Sequence, residues 1–384
     1  MHTWGKQTRT TDLTPRRAFV GVLFNEGDAP VYLPLKFHQT NSLVPLTISA
    51  SRVHQLFSTL AGRRIAVLGD VMLDRYHRGS VSRISPEAPV PIVEVDEEVE
   101  YPGGAANVGY NLATLGTAPL LLGVVGDDSG GDHLRSLLYG LGIDATGLVC
   151  EPGRPTTVKA RVIAHGQHIV RIDRETKRAI TEQTQRQLLD ILAQQISTLD
   201  AVILQDYNKG VVGCAMIPQV IRIAQAHNVP VYVDPKSENF FEYQGATLFK
   251  PNRKEAEDAL GKRLSTQAEQ EEGIRQLRQR LQCGTVVLTL SADGMMLFGD
   301  EAPEPQLVPT RALQVADVSG AGDTVIATLA AARAAGATLM ESVVLANHAA
   351  GVVCEQIGTV PIYHDALLQA LLHDLRHPES EPIP

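Results

Sequence analysis

The feature that most constrains the fold is a series of short, near-continuous apolar runs separated by stretches with helical periodicity. Six such runs predict strands: Arg64–Leu73, Leu120–Gly126, Ala201–Tyr207, Pro230–Pro235, Ala246–Asn252 and Thr285–Leu290. The helical stretches are Gly131–Leu141, Thr181–Ser197, Cys214–His227 and Thr266–Gln282. A strand without polar alternation needs cover on both faces, and strand–helix–strand alternation supplies it. The sequence therefore predicts an α/β protein with a doubly wound, mostly parallel sheet.

Polar side chains gather where four of these runs end. They are Asp70, Asp74, Gln205, Asp206, Asp234, Lys236 and Asn252. Ligands of open α/β sheets bind beside the carboxyl ends of the strands. We therefore expect the active site at this edge of the sheet.

Two segments break the pattern, Pro89–Val99 and Thr156–Ile172, because apolar and polar residues alternate along them. Alternation is typical of half-exposed antiparallel strands, and His165-Gly166-Gln167 supplies a turn. We expect a small inserted β-sheet, from about 75–101 and 155–174, that forms a lid at the active-site edge. Its exposed apolar face would need a partner, so a homodimer is also expected.

The ends of the chain differ from this central pattern. Residues 1–50 mix Pro, Thr and Asn with short apolar runs and are expected to be an N-terminal extension to the main domain, 51–376. An appendage, a small extra hairpin and sequence upstream of the true start codon are the alternatives for this extension. The Pro-rich residues 377–384 are expected to be a disordered tail. The sequence has neither a secretory signal nor the roughly 18 apolar residues of a membrane span, which predicts a cytoplasmic protein.

Composition narrows the class of partner. The 384 residues include 34 Lys and Arg against 43 Asp and Glu, a net charge of −9, and no basic tract. Sequence-independent binding to nucleic acid needs clustered basic residues, so nucleic acid is not an expected partner. The cysteines carry no metal or redox motif, and we expect them to be buried free thiols. They are Cys150, Cys214, Cys283 and Cys354.

The most informative motif is Asp317-Val318-Ser319-Gly320-Ala321-Gly322-Asp323-Thr324, which precedes an Ala-rich helix predicted over Val325–Ala335. Small residues before a helix leave backbone N–H groups free to bind an anion, and Gly320 and Gly322 let a phosphate approach. Asp323 beside that site could accept a proton from a sugar hydroxyl that attacks a phosphoryl group. A tight turn with a capping aspartate is the alternative interpretation.

A second glycine-rich helix start is Pro102-Gly103-Gly104-Ala105-Ala106-Asn107, before a helix predicted over Asn107–Leu115. Adjacent glycines permit close backbone approach, and Asn107 offers a donor and an acceptor to a hydroxyl-rich ligand. An ordinary loop before a capped helix explains the motif equally well. The P-loop motif and the Rossmann fingerprint are both absent from the sequence.

Together the two helix starts resemble the paired signatures of the ribokinase-like (PfkB) carbohydrate kinases. A narrower resemblance, to the heptose 7-phosphate kinase branch of that family, rests on Gly69–Tyr76, Ser82–Pro91, Asp206–Gly210, Asp234–Lys236 and Pro251–Glu255. The similarity runs from about Arg64 to about Leu372. It implies a ribokinase-like fold, ATP and Mg²⁺ as cofactors, and a lid that is also the dimer interface.

The resemblance implies a role for each matching residue. Asp323 would be the catalytic base, and the backbone N–H groups of Gly320, Ala321 and Gly322 would be the anion hole. Nucleotide contacts would come from Asn252, Arg253, Lys254, Glu255, Thr289 and Gly294, with Glu255 reaching Mg²⁺ through water. Sugar contacts would come from Asp70, Asp74, Gly103, Gly104, Asn107 and Asp206. Ser319 stands where the family usually has Thr, and it keeps the hydroxyl.

A sugar phosphate and ATP are both polyanions, so the site must be locally cationic although the chain is acidic. The basic residues available to meet the sugar phosphate are Arg83, Lys159, Arg161, Arg171, Lys209 and Lys236. Lys209 and Lys236 follow predicted strand ends, and Arg171 lies on the predicted lid. A solvated surface charge is the alternative interpretation of each.

The implied reaction is phosphoryl transfer from ATP to the anomeric hydroxyl of D-glycero-D-manno-heptose 7-phosphate, giving the 1,7-bisphosphate for ADP-heptose and lipopolysaccharide core synthesis. The alternatives are another kinase of the family, acting on fructose 1-phosphate, tagatose 6-phosphate or a ribose-type sugar, and a non-catalytic sugar-binding regulator. His165-Gly166-Gln167-His168 does not match the His-x-Gly-His of nucleotidyltransferases. We therefore expect a stand-alone kinase, with a separate nucleotidyltransferase performing the next step.

Overall fold

The computed structural model describes residues 48–310, 315–356 and 358–376. The predictions made for residues 1–47 and for the tail 377–384 lie outside the described residues. None of the helices within the described ranges is long and apolar enough to cross a membrane.

The predicted strands and helices occur in the order in which the sequence places them, and the structure adds others that were not predicted. The strands are β1 (Arg64–Gly69), β2 (Val71–Ile84), β3 (Pro91–Gly104), β4 (Ala118–Val125), β5 (Asp144–Cys150), β6 (Val158–Ala164), β7 (Gln167–Arg174), β8 (Ala201–Gln205), β9 (Val231–Asp234), β10 (Leu248–Phe249), β11 (Thr285–Thr289), β12 (Met295–Gly299) and β13 (Ala302–Val308). The helices are α1 (Ala50–Ser58), α2 (Ala105–Thr114), α3 (Ser129–Gly140), α4 (Glu182–Gln195), α5 (Ile217–Ala226), α6 (Arg253–Leu260), α7 (Gln267–Leu281), α8 (Ala321–Ala334), α9 (Leu339–Cys354) and α10 (His364–Arg376).

The large sheet has the order β13-β12-β11-β10-β9-β8-β1-β4-β5. The seven strands β11, β10, β9, β8, β1, β4 and β5 pair in parallel with their neighbours. Strands β12 and β13 add an antiparallel edge beside β11. Along β1, Ile65 and Val67 enter the core on one face, while Ala66 and Leu68 enter the core on the other. Helices therefore cover both faces, and the predicted doubly wound, mostly parallel sheet is confirmed.

The small sheet has the order β3-β2-β6-β7 and stands apart from the large one. Its two outer pairs are antiparallel as predicted, but the central β2–β6 pair is parallel, which the sequence interpretation did not foresee. The reason is that β2 and β6 both leave the large sheet in the same direction. The amide of Leu73 donates to the carbonyl of Thr157 (2.9 Å) where the two strands depart.

Three predicted boundaries change in ways that matter for the site. The run predicted as one strand over Arg64–Leu73 is divided at Asp70, where the chain passes from the large sheet into the small one. Helices α2 and α8 begin at Ala105 and Ala321, two and four residues earlier than predicted. Gly322 therefore lies together with Asp323 in the first helical turn.

All four cysteines are free thiols, as predicted, but the prediction that they are buried is wrong for two of them. Cys283 and Cys354 are buried, whereas Cys150 and Cys214 are exposed. Cys150 ends the edge strand β5, and Cys214 lies in the turn before α5, so neither has a second layer to cover it.

Candidate active site

The N-terminus of α8 faces the carboxyl ends of β8 and β9. Its N-cap is Gly320, with φ +81°, and no side chain of the described residues caps it. A Cβ at position 320 would also crowd Thr359 and the Asn107 amide, at 3.0 and 3.2 Å. By contrast, α1, α3, α4, α6, α7 and α9 all have side-chain caps. An uncapped helix start beside a cavity presents its first N–H groups and positive dipole to an anion.

Asp323 lies in the first turn of α8 and is 4% exposed. Its Oδ1 accepts from the Tyr207 hydroxyl (2.7 Å) and from Gln205 Nε2 (3.0 Å), and its Oδ2 accepts from Asn107 Nδ2 (2.8 Å). Burial raises the pKa of Asp323 to about 6, and the neighbouring Asp234 adds to the rise, while the hydrogen bonds and Lys250 oppose it. The carboxylate is therefore a positioned base whose pKa lies just below neutral pH.

The Asn107 contact joins the two glycine-rich helix starts of the sequence. Asn107 lies in the first turn of α2, and its amide reaches Asp323 across 216 residues of chain. The helix α2 has the same kind of N-terminus, because its N-cap Gly104 (φ +57°) also lacks a side-chain cap. Gly103 and Gly104 leave no room for a Cβ, since it would overlap the Asp74 carboxylate or the Asp70 carbonyl.

A buried ion pair that sequence reasoning missed lies beside the anion site. Lys250 Nζ is 3.0 Å from Asp234 Oδ1, and the two side chains are 3% and 9% exposed. Gln205 Nε2 donates to both Asp234 (3.1 Å) and Asp323 (3.0 Å), which links the pair to the base. A Cβ at Gly322 would lie 3.7 Å from Lys250 Nζ, so the ammonium group faces the α8 N-terminus.

The signal for Lys250 was present in the sequence as a charge inside the apolar run Ala246–Asn252. Such a charge in a covered strand must be paired or face a cavity. Tyr207 carried no comparable signal, because tyrosine is common at strand ends. Its hydroxyl is placed on Asp323 only by the fold.

A cavity of about 800 Å³ opens from the α8 N-terminus along the ends of β9, β10 and β11. Of the predicted nucleotide residues, five line it: Asn252, Arg253, Lys254, Thr289 and Gly294. The three anion-hole residues and Asp323 line it as well, with Lys236, Lys250 and an apolar wall that includes Val315, Val318, Val325 and Ala350. A cavity of this volume, with two lysines beside an uncapped helix N-terminus and an apolar wall, suits a nucleoside triphosphate.

Glu255, the sixth predicted nucleotide residue, is not among the residues that line this cavity. Its Oε2 accepts from the backbone N–H of Asn252 (2.9 Å) and completes a capping box at the start of α6. Its Oε1 pairs with Lys236. Asn252 is the N-cap of the same helix. The role of Glu255 toward Mg²⁺ stays a prediction.

Two carboxylates predicted to hold the sugar are used within the protein instead. Asp70 accepts from the backbone amides of Tyr207 (2.8 Å), Lys209 (3.0 Å) and Val211 (3.0 Å), and burial raises its pKa to about 6. Asp206 is fully buried and accepts from Asn208, Asn239 and Tyr243. Asp70 fixes the loop that follows β8, and Asp206 ties that loop to the segment after β9, because a buried carboxylate takes the nearest donors.

Asp74 keeps the more open position of the two aspartates near β2. Arg161 Nη1 donates to its Oδ1 (2.6 Å), and its Oδ2 lies against Gly103. Asp74 therefore lies beside the glycine pair that precedes α2, and Asn107 of α2 reaches Asp323; we call these three side chains the candidate sugar surface. That surface offers carboxylate acceptors and an amide, which are the groups that bind sugar hydroxyls.

The six basic residues predicted for the sugar phosphate do not converge. Lys236 lines the nucleotide cavity and pairs with Glu255, and Lys209 pairs with Glu175 (2.6 Å). Arg171 pairs with Asp173 (2.8 Å) and is 56% exposed, and Arg83 is 66% exposed at the far end of β2. Lys159 is half-buried close to Lys209, which together with burial lowers its pKa. Arg161 is the member that lies beside Asp74.

Within the described ranges, no group of three or more His, Cys, Asp or Glu side chains is arranged to hold a metal ion. The carboxylates that border the phosphate end of the cavity are Asp234 and Asp323. Mg²⁺ keeps several waters and is commonly held by one or two carboxylates together with substrate phosphates. These residues fit a Mg²⁺ that arrives with ATP, and they do not form a cage of protein ligands.

Comparison with known proteins agrees with this geometry. A model of the pfkB family of carbohydrate kinases matches residues 63–365. Bifunctional protein HldE of Wolinella succinogenes is 40% identical over 317 residues, which cover 83% of this chain and 66% of that protein. Bifunctional protein HldE of Paramagnetospirillum magneticum is 41% identical, covering 85% and 67%. The chain thus spans about two thirds of the length of these curated relatives.

Among solved structures, the ribokinase of Arabidopsis thaliana complexed with ribose and ATP has a TM-score of 0.63 at 19% identity, covering 81% of this chain and 99% of its own. A similarity at this level of identity concerns the fold. It agrees with the ribokinase-like fold that the two helix starts predicted.

Proposed function

Because this chain belongs to the pfkB family of carbohydrate kinases, we propose that it transfers the γ-phosphoryl group of ATP to the anomeric hydroxyl of D-glycero-D-manno-heptose 7-phosphate. The product would be the 1,7-bisphosphate, a precursor for ADP-heptose and the lipopolysaccharide core. The single observation that carries the reaction type is Asp323, a buried carboxylate in the first turn of an uncapped helix that ends a nucleotide-sized cavity. The choice of sugar rests on the heptose-kinase segments of the sequence and the HldE relatives.

In this mechanism Asp323 accepts the proton of the sugar hydroxyl as its oxygen attacks the phosphoryl group. Tyr207, Gln205 and Asn107 hold the carboxylate in one orientation, so little freedom is lost when the sugar binds. Its pKa of about 6 is high enough to accept a proton and low enough to leave the carboxylate ionised at neutral pH.

Charge that develops on the transferring group would meet donors that are already in place. The backbone N–H groups at Gly320–Gly322 provide the anion hole, and the Lys250 ammonium lies beside Gly322. Preorganised donors in a water-poor site are the largest source of rate in many enzymes. Bound Mg²⁺ would supply further neutralisation of the phosphate charge. Asp234, which lines the cavity, would lie near it, and Glu255, which does not line the cavity, would act through water.

ATP would lie along the cavity, with its triphosphate at α8. The adenine ring would contact the apolar wall that includes residues of α8 and α9. Asn252, Thr289 and Gly294 would contact the nucleotide from the strand ends on the opposite side. The sugar would lie against Asp74, Gly103 and Asn107.

We also propose that the small sheet pairs two copies of the chain, because its side chains Ile84, Val95, Val170 and Ile172 are exposed. A nucleotidyltransferase would use the product.

The proposed function is tested by measuring ADP release from ATP with a panel of sugars and sugar phosphates. Heptose 7-phosphate is expected to give the highest kcat/KM. Preference for fructose 1-phosphate, tagatose 6-phosphate or a ribose-type sugar would support the related-kinase alternative. Binding of sugars without ADP release would support the regulator.

The pKa of Asp323 predicts a pH dependence. As pH falls through about 6 the base becomes protonated, so kcat/KM should fall tenfold for each further pH unit. A raised carboxyl pKa means that the folded state binds the proton more tightly than the unfolded chain. Acidification from about pH 6 to about pH 4 therefore costs no stability through this group. The fall in kcat/KM then reports on catalysis, and not on unfolding through Asp323. A kcat/KM profile that stays level down to about pH 5, in protein shown to be folded by circular dichroism, would contradict the role of Asp323 as base.

Gly322→Ala should separate phosphate access from folding. The new methyl group would meet Lys250 Nζ and Asp234 Oδ2 only at ordinary contact distances of 3.7 and 3.9 Å, and alanine favours a helix by about 0.5–1 kcal/mol. The melting temperature should therefore hold or rise, while kcat falls about tenfold to a hundredfold because the methyl group displaces the phosphate. Gly140→Ala, in a helical position with open space around it, is the matched control and should keep full activity.

A further inference from the structure

A second cavity, of about 450 Å³, lies between the small sheet and the loop that leads into α8. We call it the lid cavity, and its residues used below are Tyr76, Arg78, Arg161, His165, His168 and Ser319. Ser319 directly precedes Gly320, which lines the nucleotide cavity, so both cavities border the α8 N-terminus. Four of its six residues are cationic or can become so.

The register of the small sheet explains why these side chains converge. Tyr76 lies opposite Arg161, and Arg78 lies opposite Ile163, in the parallel β2–β6 pair. Residues that are directly opposite, or two apart on one strand, project from the same face of a sheet. Asp74, Tyr76, Arg78 and Arg161 therefore share the face that looks toward the α8 loop. Sequence inspection could not find this set, because it needs the parallel register.

Both guanidinium groups have donors to spare. Arg161 uses Nη1 for Asp74 (2.6 Å), and Arg78 uses Nη1 for the exposed Glu97 (3.0 Å). Among the residues that the structure describes, the Nε and Nη2 groups of both arginines have no hydrogen-bond partner. The Tyr76 ring lies 5.1 Å from the Arg161 guanidinium carbon and 5.9 Å from that of Arg78, which orients both groups.

The acidic group of the lid cavity, Asp317, is already hydrogen-bonded within the protein. Asp317 accepts from the Ser319 amide (2.9 Å) and the Gly358 amide (3.0 Å), and His168 lies close enough to lower its pKa. Two arginines with free donors and two histidines then face one enclosed space. Such an arrangement suits a dianionic phosphate ester, which accepts bidentate hydrogen bonds from arginine.

We infer that the lid cavity binds the phosphate ester that the sugar already carries, an inference that rests on the proposed function. Asp74 lies between the proposed sugar site and the lid cavity, since it pairs with Arg161 of the cavity and lies against Gly103 of the sugar site. Arg161 and Arg78 bind the ester directly, with His165 and His168 at the rim. Lys209 and Lys236 do not take this role, because each is paired with a glutamate elsewhere.

The test uses Arg78→Gln and Arg161→Gln in the full chain, with Arg174→Gln as control. Arg174 lies on the same small sheet, is 59% exposed and pairs with Asp128 outside the cavity. Loss of a charge-assisted hydrogen bond should raise the KM for the sugar phosphate by about ten- to a hundredfold. The KM for ATP and the kcat/KM for the unphosphorylated sugar should stay within about twofold of wild type, a split that a merely structural role would not give. Gln at 161 can still donate to Asp74, and Arg78 has only the exposed Glu97 to lose, so at least one variant is expected to fold.

The outcomes separate the two proposals. An unchanged KM for the sugar phosphate, or equal rises for the phosphorylated and unphosphorylated sugars, overturns the lid cavity as a phosphate site. A wild-type enzyme that prefers another sugar phosphate, with its KM raised by Arg78→Gln and Arg161→Gln, overturns the heptose assignment and supports the site. A wild-type enzyme that uses only unphosphorylated sugars overturns both.

Discussion

Asp323→Asn is expected to lower kcat by at least about 10²–10⁴-fold while ATP binds with nearly unchanged Kd. General-base catalysis contributes this order of rate, and an amide cannot accept the proton of the attacking hydroxyl. In the proposed function the triphosphate would be held by backbone groups at the α8 N-terminus and by Lys250, which the substitution leaves in place. Steady-state ADP release and calorimetric titration of ATP measure the two quantities.

The substitution also disturbs the hydrogen bonds of Asp323, so it needs a control for geometry. An amide at 323 would turn its NH₂ group toward the Gln205 and Tyr207 donors or toward the Asn107 amide, and a donor would face a donor. In the exchange Asn107→Asp with Asp323→Asn, a carboxylate and an amide face each other again. We expect this double variant to regain thermal stability and to stay inactive. Asp323→Asn with a kcat within tenfold of wild type would refute the assignment of the base.

Lys250→Met is expected to lower kcat by about 10²–10³-fold, the usual cost of removing one preorganised donor to a developing negative charge. Lys250 is the buried ammonium beside Gly322, where the transferring phosphoryl group would lie. The KM for the sugar should change little, because Asp74 and Asn107 lie on the other side of Asp323. Single-turnover measurement of phosphoryl transfer reports the effect most directly.

The same substitution leaves Asp234 buried without its partner, which costs about 3–5 kcal/mol of stability. A double variant, Asp234→Asn with Lys250→Met, removes both charges and should recover much of that stability. We expect its kcat to remain low, since the donor to the phosphoryl group is still missing. Recovery of wild-type kcat together with stability would show that Lys250 acts only as the partner of Asp234.

The sequence predicted the local parts of this site better than their connections. Both glycine-rich helix starts were found, because a helix N-terminus that approaches a ligand requires glycine at specific positions. Asp323 followed from its place in that motif. Lys250 was overlooked inside an apolar run, and Tyr207 gave no signal. Each depends on partners from distant segments: the Tyr207 hydroxyl meets Asp323 across 116 residues.

The aspartates show the same division. Asp70, Asp74 and Asp206 look alike in the sequence, since each follows an apolar run near a predicted strand end. In the structure, Asp70 accepts from amides of the loop after β8, and Asp206 accepts from that loop and from Asn239 and Tyr243 after β9. Asp74 pairs with Arg161 at the candidate sugar surface. The basic residues also differ only in the folded structure. Lys209 and Lys236 are paired with glutamates, whereas Arg78 and Arg161 each keep N–H donors that no described part of the protein uses.

By itself the sequence determined the layered α/β fold, the inserted small sheet and the two helix N-termini, because hydrophobic period and glycine placement are properties of short segments. The tertiary structure alone decided which polar groups are free to act. That outcome depends on which distant donors and acceptors meet once the strands are in register. Asn107, Gln205, Tyr207 and Asp323 come from three separate parts of the chain, and only the folded sheet brings their side chains within hydrogen-bond distance.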